Sequence, residues 1–267
     1  MLEQLTLGRY VPGQSILHRL DSRAKLLLSL YLIVIVFLTS NWLTYVFMFI
    51  LVGGLIAMTG LKVGYFIRGI GPLIWLIVFT AVLQLLFTPG GHVYWHWGVL
   101  MLTSTGIATA VSVFLRFLLI ITMATILTLT TAPLAIADGV EAMLKPLRIV
   151  HFPVAQTALM LSVALRFVPT LLDEATTIMN AQRARGVEFN NGGLIKRLRA
   201  IVPLLIPLFV GAISRADELA TAMEARGYQG GDGRTKYRVL HWRSADTMAV
   251  ISVLIINIVL VVFRHLN

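Results

Sequence analysis

The sequence predicts an all-α integral membrane protein: about five transmembrane helices joined to a domain of long amphipathic helices on the cytoplasmic side. Three observations carry this reading. The 267 residues are 58% hydrophobic and 13% charged, with a mean hydropathy of +0.86, against about 45–50% apolar and about 25% charged in soluble domains. Five stretches are apolar enough to read as spans. The 22 Lys and Arg, set against 12 Asp and Glu, gather almost wholly on one side of those spans. Such a composition excludes a soluble enzyme and a disordered chain. A net charge of +10 in so apolar a chain marks a membrane protein with a basic side, not a nucleic-acid binder. The absence of Cys removes disulfides, thiolate metal sites and cysteine nucleophiles together.

Residues 1–25 carry Arg9, Arg19, Arg23 and Lys25 and lack the apolar core and small-residue cleavage site of a removable signal, so they are expected to remain as a cytoplasmic segment. A four-helix membrane region, 26–130, follows, with spans at 26–39, 42–58, 70–87 and 99–130. The first is short, but Lys25 can snorkel at one end and Trp42 suits the interface at the other. The last span, 245–263, lies in a C-terminal segment of 245–267. With the N-terminus inside, 20 of the 22 positive charges fall on the cytoplasmic side, 14 of them between Lys145 and Arg243; Arg116 and Arg264 are the exceptions. This asymmetry predicts an N-in, C-out topology.

Residues 131–244 are assigned to the cytoplasmic side. The stretch 153–172 is long enough to span, but would place Arg166 in the bilayer at about 2.5–3.5 kcal/mol and carry Arg183, Arg185, Lys196, Arg197 and Arg199 outside. The return would fall to 201–213, which is broken by Pro203 and Pro207 and too short to cross. Helix-forming composition punctuated by Pro and Gly predicts helices over 138–147, 153–185 and 193–226, with Asp138 and Glu141 in the opening turns of the first.

A short pattern occurs twice there. Ala181-Gln-Arg-Ala-Arg-Gly186 and Ala222-Met-Glu-Ala-Arg-Gly227 both read A-x-x-A-R-G, 41 residues apart. Each follows an acidic pair, Asp173-Glu174 and Asp217-Glu218, on its own helix. A glycine past the last turn ends a helix in the left-handed conformation, and an arginine beside it complements the negative end of the dipole. One copy reads as a capped helix; two copies point beyond capping, because small Ala residues let another backbone approach and a guanidinium can fork onto a partner's carboxylate.

These tips, with LGRYVPGQSILHRLDSRAKLLL at 7–28, ALMLSVALRFVPTLLDEATTIMNAQRARG at 158–186 and VPLLIPLFVGAISRADELATAMEARGYQGG at 202–231, resemble the transmembrane T component of energy-coupling factor transporters over essentially the whole chain. The resemblance implies a subunit without catalysis or cofactor of its own, in the plasma membrane of a prokaryote. Its implied partners are two ATP-binding-cassette ATPases, which bind ATP and Mg, and exchangeable substrate-binding S components in the bilayer. It further implies that Ala184, Arg185 and Gly186 seat one ATPase and Ala225, Arg226 and Gly227 the other. The apolar runs 158–172 and 201–213 then become the expected S-component seat, with Leu159, Leu161, Leu165, Val168, Leu172, Leu204, Leu205 and Leu208 as contacts, unless they pack only on each other. The similarity is to the shared type, in which one module serves several vitamin-binding S components.

Other signals lead elsewhere. The segment 227–236 is no phosphate loop, since Gly233 is followed by Arg234 and a helix precedes it; it is expected to return the chain to the bilayer, with Lys236, Arg238 and Arg243 at anionic headgroups. His92 and His96 lie in an aromatic loop without a carboxylate and suit an interfacial belt better than a metal. Arg116 has no acidic partner in any span, which leaves snorkelling or carbonyl contacts. The competing reading is a membrane enzyme acting on lipid headgroups through Arg166, Asp173 and Glu174. Adjacent carboxylates, however, diverge by about 100° on a helix.

Overall fold

A computed structural model describes residues 10–39, 41–97, 100–150, 152–187, 189, 193–230 and 240–265. The chain divides into two compact units. One comprises Gly8–Gly139 and Val239–Asn267, the other Val140–Arg238 with the first seven residues.

The first unit holds α1 (Ile16–Arg19), α2 (Ser22–Leu38), α3 (Trp42–Thr59), α4 (Val63–Phe87), a hairpin of β1 (Val93–Trp97) and β2 (Leu100–Thr103), α5 (Ser104–Thr130), the start of α6 (Pro133–Leu144), and, after α7 and α8 of the second unit, α9 (Ser244–His265). The central helix is α5, which packs on α2, α3 and most extensively on α4. Leu119, Met123, Ile126 and Leu129 of α5 meet Leu32, Ile35 and Val36 of α2, Tyr45, Met48 and Val52 of α3, Phe66 of α4, and Val253 and Leu260 of α9 in one buried cluster. Gly69 lets α4 approach closely: a Cβ there would stand 2.8 Å from Thr125 Cγ2. Four threonines of α5 are satisfied within the helix, as Thr122, Thr125, Thr128 and Thr130 each donate to the carbonyl four residues back. The outward faces are apolar, with Trp75 78% and Ile50 68% exposed. A helix bundle that turns large apolar side chains outward is built for lipid.

Sequence and structure differ at several edges. The helices begin earlier than hydropathy suggests, at Ser22 behind an Asp21 cap and at Val63 instead of Ile70. The expected outer loop at 88–98 contains a strand, and the span expected from residue 99 begins only at Ser104, because β-branched and aromatic residues of 93–103 pair as an antiparallel hairpin. His96 therefore sits on β1, and the His92 ring packs beside Tyr94 at 5.0 Å. Arg116 resolves to a carbonyl contact: its Nη2 donates to Thr39 O at 3.2 Å, at the C-cap of α2, and its guanidinium lies 5.7 Å from the Phe37 ring.

Lys25 does not snorkel. It is only 9% exposed, and Nζ donates to His18 O and Thr130 O, both at 3.0 Å. Asp21 and Asp246 supply the opposing charge. Asp246, 1% exposed, accepts the backbone N–H of Asp21 at 2.8 Å and of Arg243 at 2.7 Å, which fastens α9 to the start of α2.

The second unit holds the end of α6, a 3-10 turn (Lys145–Val150), α7 (Val154–Ala184) and α8 (Leu194–Ala225). Five described helices have the length and composition to cross a membrane, and they are not the five expected: α3, α4 and α5 recur, joined by α7 and by Leu198–Ala225 of α8. The 17 residues of α2 stand at the lower limit for a span, and α9, 22 residues long, covers the span expected at 245–263. The expectation that 201–213 is too short fails because α8 continues through Pro203 and Pro207 as one helix of 32 residues. A proline removes one hydrogen bond and kinks a helix without always ending it.

Replacing Asp246 with Ala should leave the buried Asp21 N–H and the partly buried Arg243 N–H without an acceptor and Lys25 short of a counter-charge. Loss of one partner from a buried charge cluster costs about 3–5 kcal/mol. The thermal unfolding midpoint of the purified chain in detergent should fall markedly, and Asp246→Asn, which keeps one acceptor, should fall less.

Candidate functional site

Both A-x-x-A-R-G copies end long helices in the same way. At the end of α7, Gly186 has φ 86°, its N–H bonds Arg183 O at 3.0 Å, and Val187 N–H reaches back to Gln182 O at 3.0 Å. At the end of α8, Gly227 has φ 74°, with Gly227 N–H on Glu224 O at 2.9 Å and Tyr228 N–H on Met223 O at 3.0 Å. This is the Schellman arrangement, which satisfies the last carbonyls with backbone donors alone. A Cβ at either glycine would meet nothing within 4 Å, so only the left-handed backbone demands glycine there. Ala184, Arg185, Gly186, Ala225, Arg226 and Gly227 are all exposed. Because the backbone caps itself, neither arginine head is needed for capping. The tips differ in one charge: two residues before the tip arginine stands Arg183 in one and Glu224 in the other, both exposed. The Arg183 guanidinium lies 5.9 Å from the Phe189 ring.

The helices that carry the tips run antiparallel. Gln182 Nε2 donates to Pro203 O at 3.5 Å, and Glu174 packs against Gly211 and binds Arg215, Nη2 to Oε2, at 2.8 Å. Pairing that moves down one helix as it moves up the other is the mark of opposed directions. The tips therefore lie at opposite ends of the pair. The Glu174–Arg215 pair escapes a reading of sequence that matches the two acidic pairs by eye. Its signal is spacing, since Arg185 follows Glu174, and Arg226 follows Arg215, by eleven residues.

The expected docking residues do not form one surface. Leu161, Leu165, Val168 and Leu172 share a half-buried stripe on α7, and Leu159, also half-buried, lies off it. Leu204 and Leu208 are half-buried on the stripe of Gly211 and Arg215, which faces α7. Leu205 is exposed. The free face of α8 is instead Leu198, Val202, Ile206, Phe209 and Ile213, all exposed at helical spacing.

The competing carboxylate site does not assemble: Glu174 is held by Arg215, and Asp173 and Arg166 are exposed. Among the described residues no group of three His, Asp or Glu could hold a metal ion. Of the Gly-rich segment, 231–239 lies outside the described residues, including Gly231, Gly233, Arg234, Lys236 and Arg238.

The similarity of this chain to known proteins extends from end to end. A family model described as "Cobalt transport protein" matches residues 13–237. The "Energy-coupling factor transporter transmembrane protein EcfT" of Lacticaseibacillus paracasei is 56% identical over 98% of this chain and 100% of its own length. A protein of the same name, EcfT 1, from Listeria monocytogenes is 50% identical over 99% of each chain. That of Lactococcus lactis subsp. cremoris is 48% identical over the full length of both. With identity at this level along its whole length, the chain belongs to the family of energy-coupling factor transporter transmembrane proteins, multi-pass membrane proteins of prokaryotes.

Proposed function

We propose that this chain is the non-catalytic scaffold of an energy-coupling factor importer, and that its two arginine tips seat two cytoplasmic ATPases. The observation that carries this reading is the pair of self-capped, exposed helix ends, each presenting Ala-Arg-Gly with an uncommitted guanidinium. ATP and Mg belong to the ATPases. Arg185 and Arg226 form the ion-pair contacts, and the small residues Ala184, Gly186, Ala225 and Gly227 admit the partner's backbone.

The antiparallel pairing supports an in-plane placement for α7 and α8, despite their spanning length. Were both to cross the bilayer, Arg185 and Arg226 would emerge on opposite sides. Two ATPases share one compartment, so both tips reach them only if the helices lie along the cytoplasmic face. The basic residues between Lys145 and Arg243 favour the same side, with the N-terminus inside and the C-terminus outside. The free apolar face of α8 and the stripe Leu161 to Leu172 of α7 are then available to a substrate-binding S component within the membrane surface. Vitamins are the proposed cargo, with several S components sharing the module.

Reversing both tips, Arg185→Glu with Arg226→Glu, should abolish co-purification of the ATPases, and each single change should weaken it, since loss of one partner from a buried interfacial charge pair costs about 2–5 kcal/mol. Undiminished assembly of the double variant overturns the role of the tips. The chain has no native Cys, so Ala181→Cys and Ala222→Cys report placement directly. Both should react with a membrane-impermeant maleimide in inside-out vesicles and neither in right-side-out ones. Affinity capture of the intact complex followed by mass spectrometry should recover several different small membrane partners; a single one identifies a dedicated transporter instead.

A further inference from the structure

We infer that the Glu174–Arg215 ion pair, with the space left by Gly211, is the pivot that sets the placement of one arginine tip relative to the other. This rests on the reading of the tips as ATPase seats. The pair joins α7 and α8 at 2.8 Å, with side chains 24% and 32% exposed, so it is partly withdrawn from solvent screening. Gly211 lies one turn before Arg215 on the face turned to α7, and a Cβ there would stand 3.0 Å from Glu174 Oε1. A larger residue would push the carboxylate off its partner.

The position of the pair along the helices gives it leverage. Arg185 and Arg226 each lie eleven residues beyond it, about 16 Å at 1.5 Å per residue, and in opposite directions. Between pair and tip neither helix contains proline; Pro169 of α7 and Pro203 and Pro207 of α8 all lie on the far side. Each tip is thus the end of an unbroken rod that leads to the crossing. Beyond the crossing, each helix has lost backbone hydrogen bonds and bends more easily. A push on one tip is delivered to the ion pair as rigid rotation and emerges in the proline-containing halves, where the apolar surfaces are.

The test places spin labels on Ala181→Cys and Ala222→Cys in the complex with its co-expressed ATPases and measures the label-to-label distance with and without Mg-ATP. The native pair should give one narrow distribution in each state. Glu174→Gln and Arg215→Gln should broaden both, and the exchange Glu174→Arg with Arg215→Glu should narrow them again, a rescue that loss of folding cannot mimic. ATP hydrolysed per substrate molecule imported should rise at least about fivefold in the single variants, the low end of typical coupling between sites. Gly211→Leu favours the helix yet should broaden the distances as the single variants do. Unchanged distributions in Glu174→Gln, or failure of the exchange to narrow them, overturn the pivot. Failure of the tip reading shows separately, as ATPases that still co-purify when Arg185 and Arg226 are reversed.

Discussion

A helix end buried away from water leaves carbonyls with no donor, and the membrane unit is organised around supplying donors to the buried ends at Thr39 and Thr130. A buried Lys25 and a half-buried Arg116 do so. Lys25 gives its ammonium to the carbonyl of Thr130, at the end of α5, and to His18 at the end of α1. Arg116 gives its guanidinium to Thr39, at the end of α2. In both places a positive charge meets the negative end of a helix dipole, which lowers the cost of keeping it from water. The Lys25 cluster also recruits the last helix, since Asp246 binds the backbone entering α2 as well as its own N-terminal turn. The helices α2 and α9 are thereby held by a contact between residues more than two hundred positions apart.

The opposite solution appears at the ends of α7 and α8. There the backbone caps itself through glycine, and no side chain is spent on the carbonyls. Arginine stands beside a helix end in each case, but Arg116 is consumed by the fold whereas Arg185 and Arg226 remain exposed. The chemistry of the cap thus separates an arginine used by the fold from one left exposed.

That distinction sets how far the sequence could be read. The helices and the two glycine-capped helix ends were legible because periodicity and glycine placement are local. Lys25 was not: a lysine beside an apolar run looks like a snorkelling residue until the carbonyls of two other helices are seen to converge on it. The hairpin was hidden because LMLT is as apolar as the span that follows it and reads as its start, while VYWHW reads as an aromatic loop; only strand pairing joins the two. The helix of α8 is expected over 193–226, but its spanning length is not, because Pro203 and Pro207 make 201–213 look like a short broken run although the flanking turns carry the apolar helix through. Leu204 and Leu208 illustrate a further limit, since hydrophobicity marks an apolar run without saying which of its faces a neighbouring helix has already taken.

An antiparallel pair whose ends carry the same motif has an approximate two-fold axis, and here that axis passes between Glu174 and Arg215, which occupy matching positions in the two helices. Rotation about it superposes one tip on the other in backbone but exchanges Arg183 for Glu224. The symmetry is kept in shape and inverted in charge. On shape alone the two ends of such a pair are interchangeable; the inversion splits that degeneracy, so the helix pair carries a polarity that tells one end from the other.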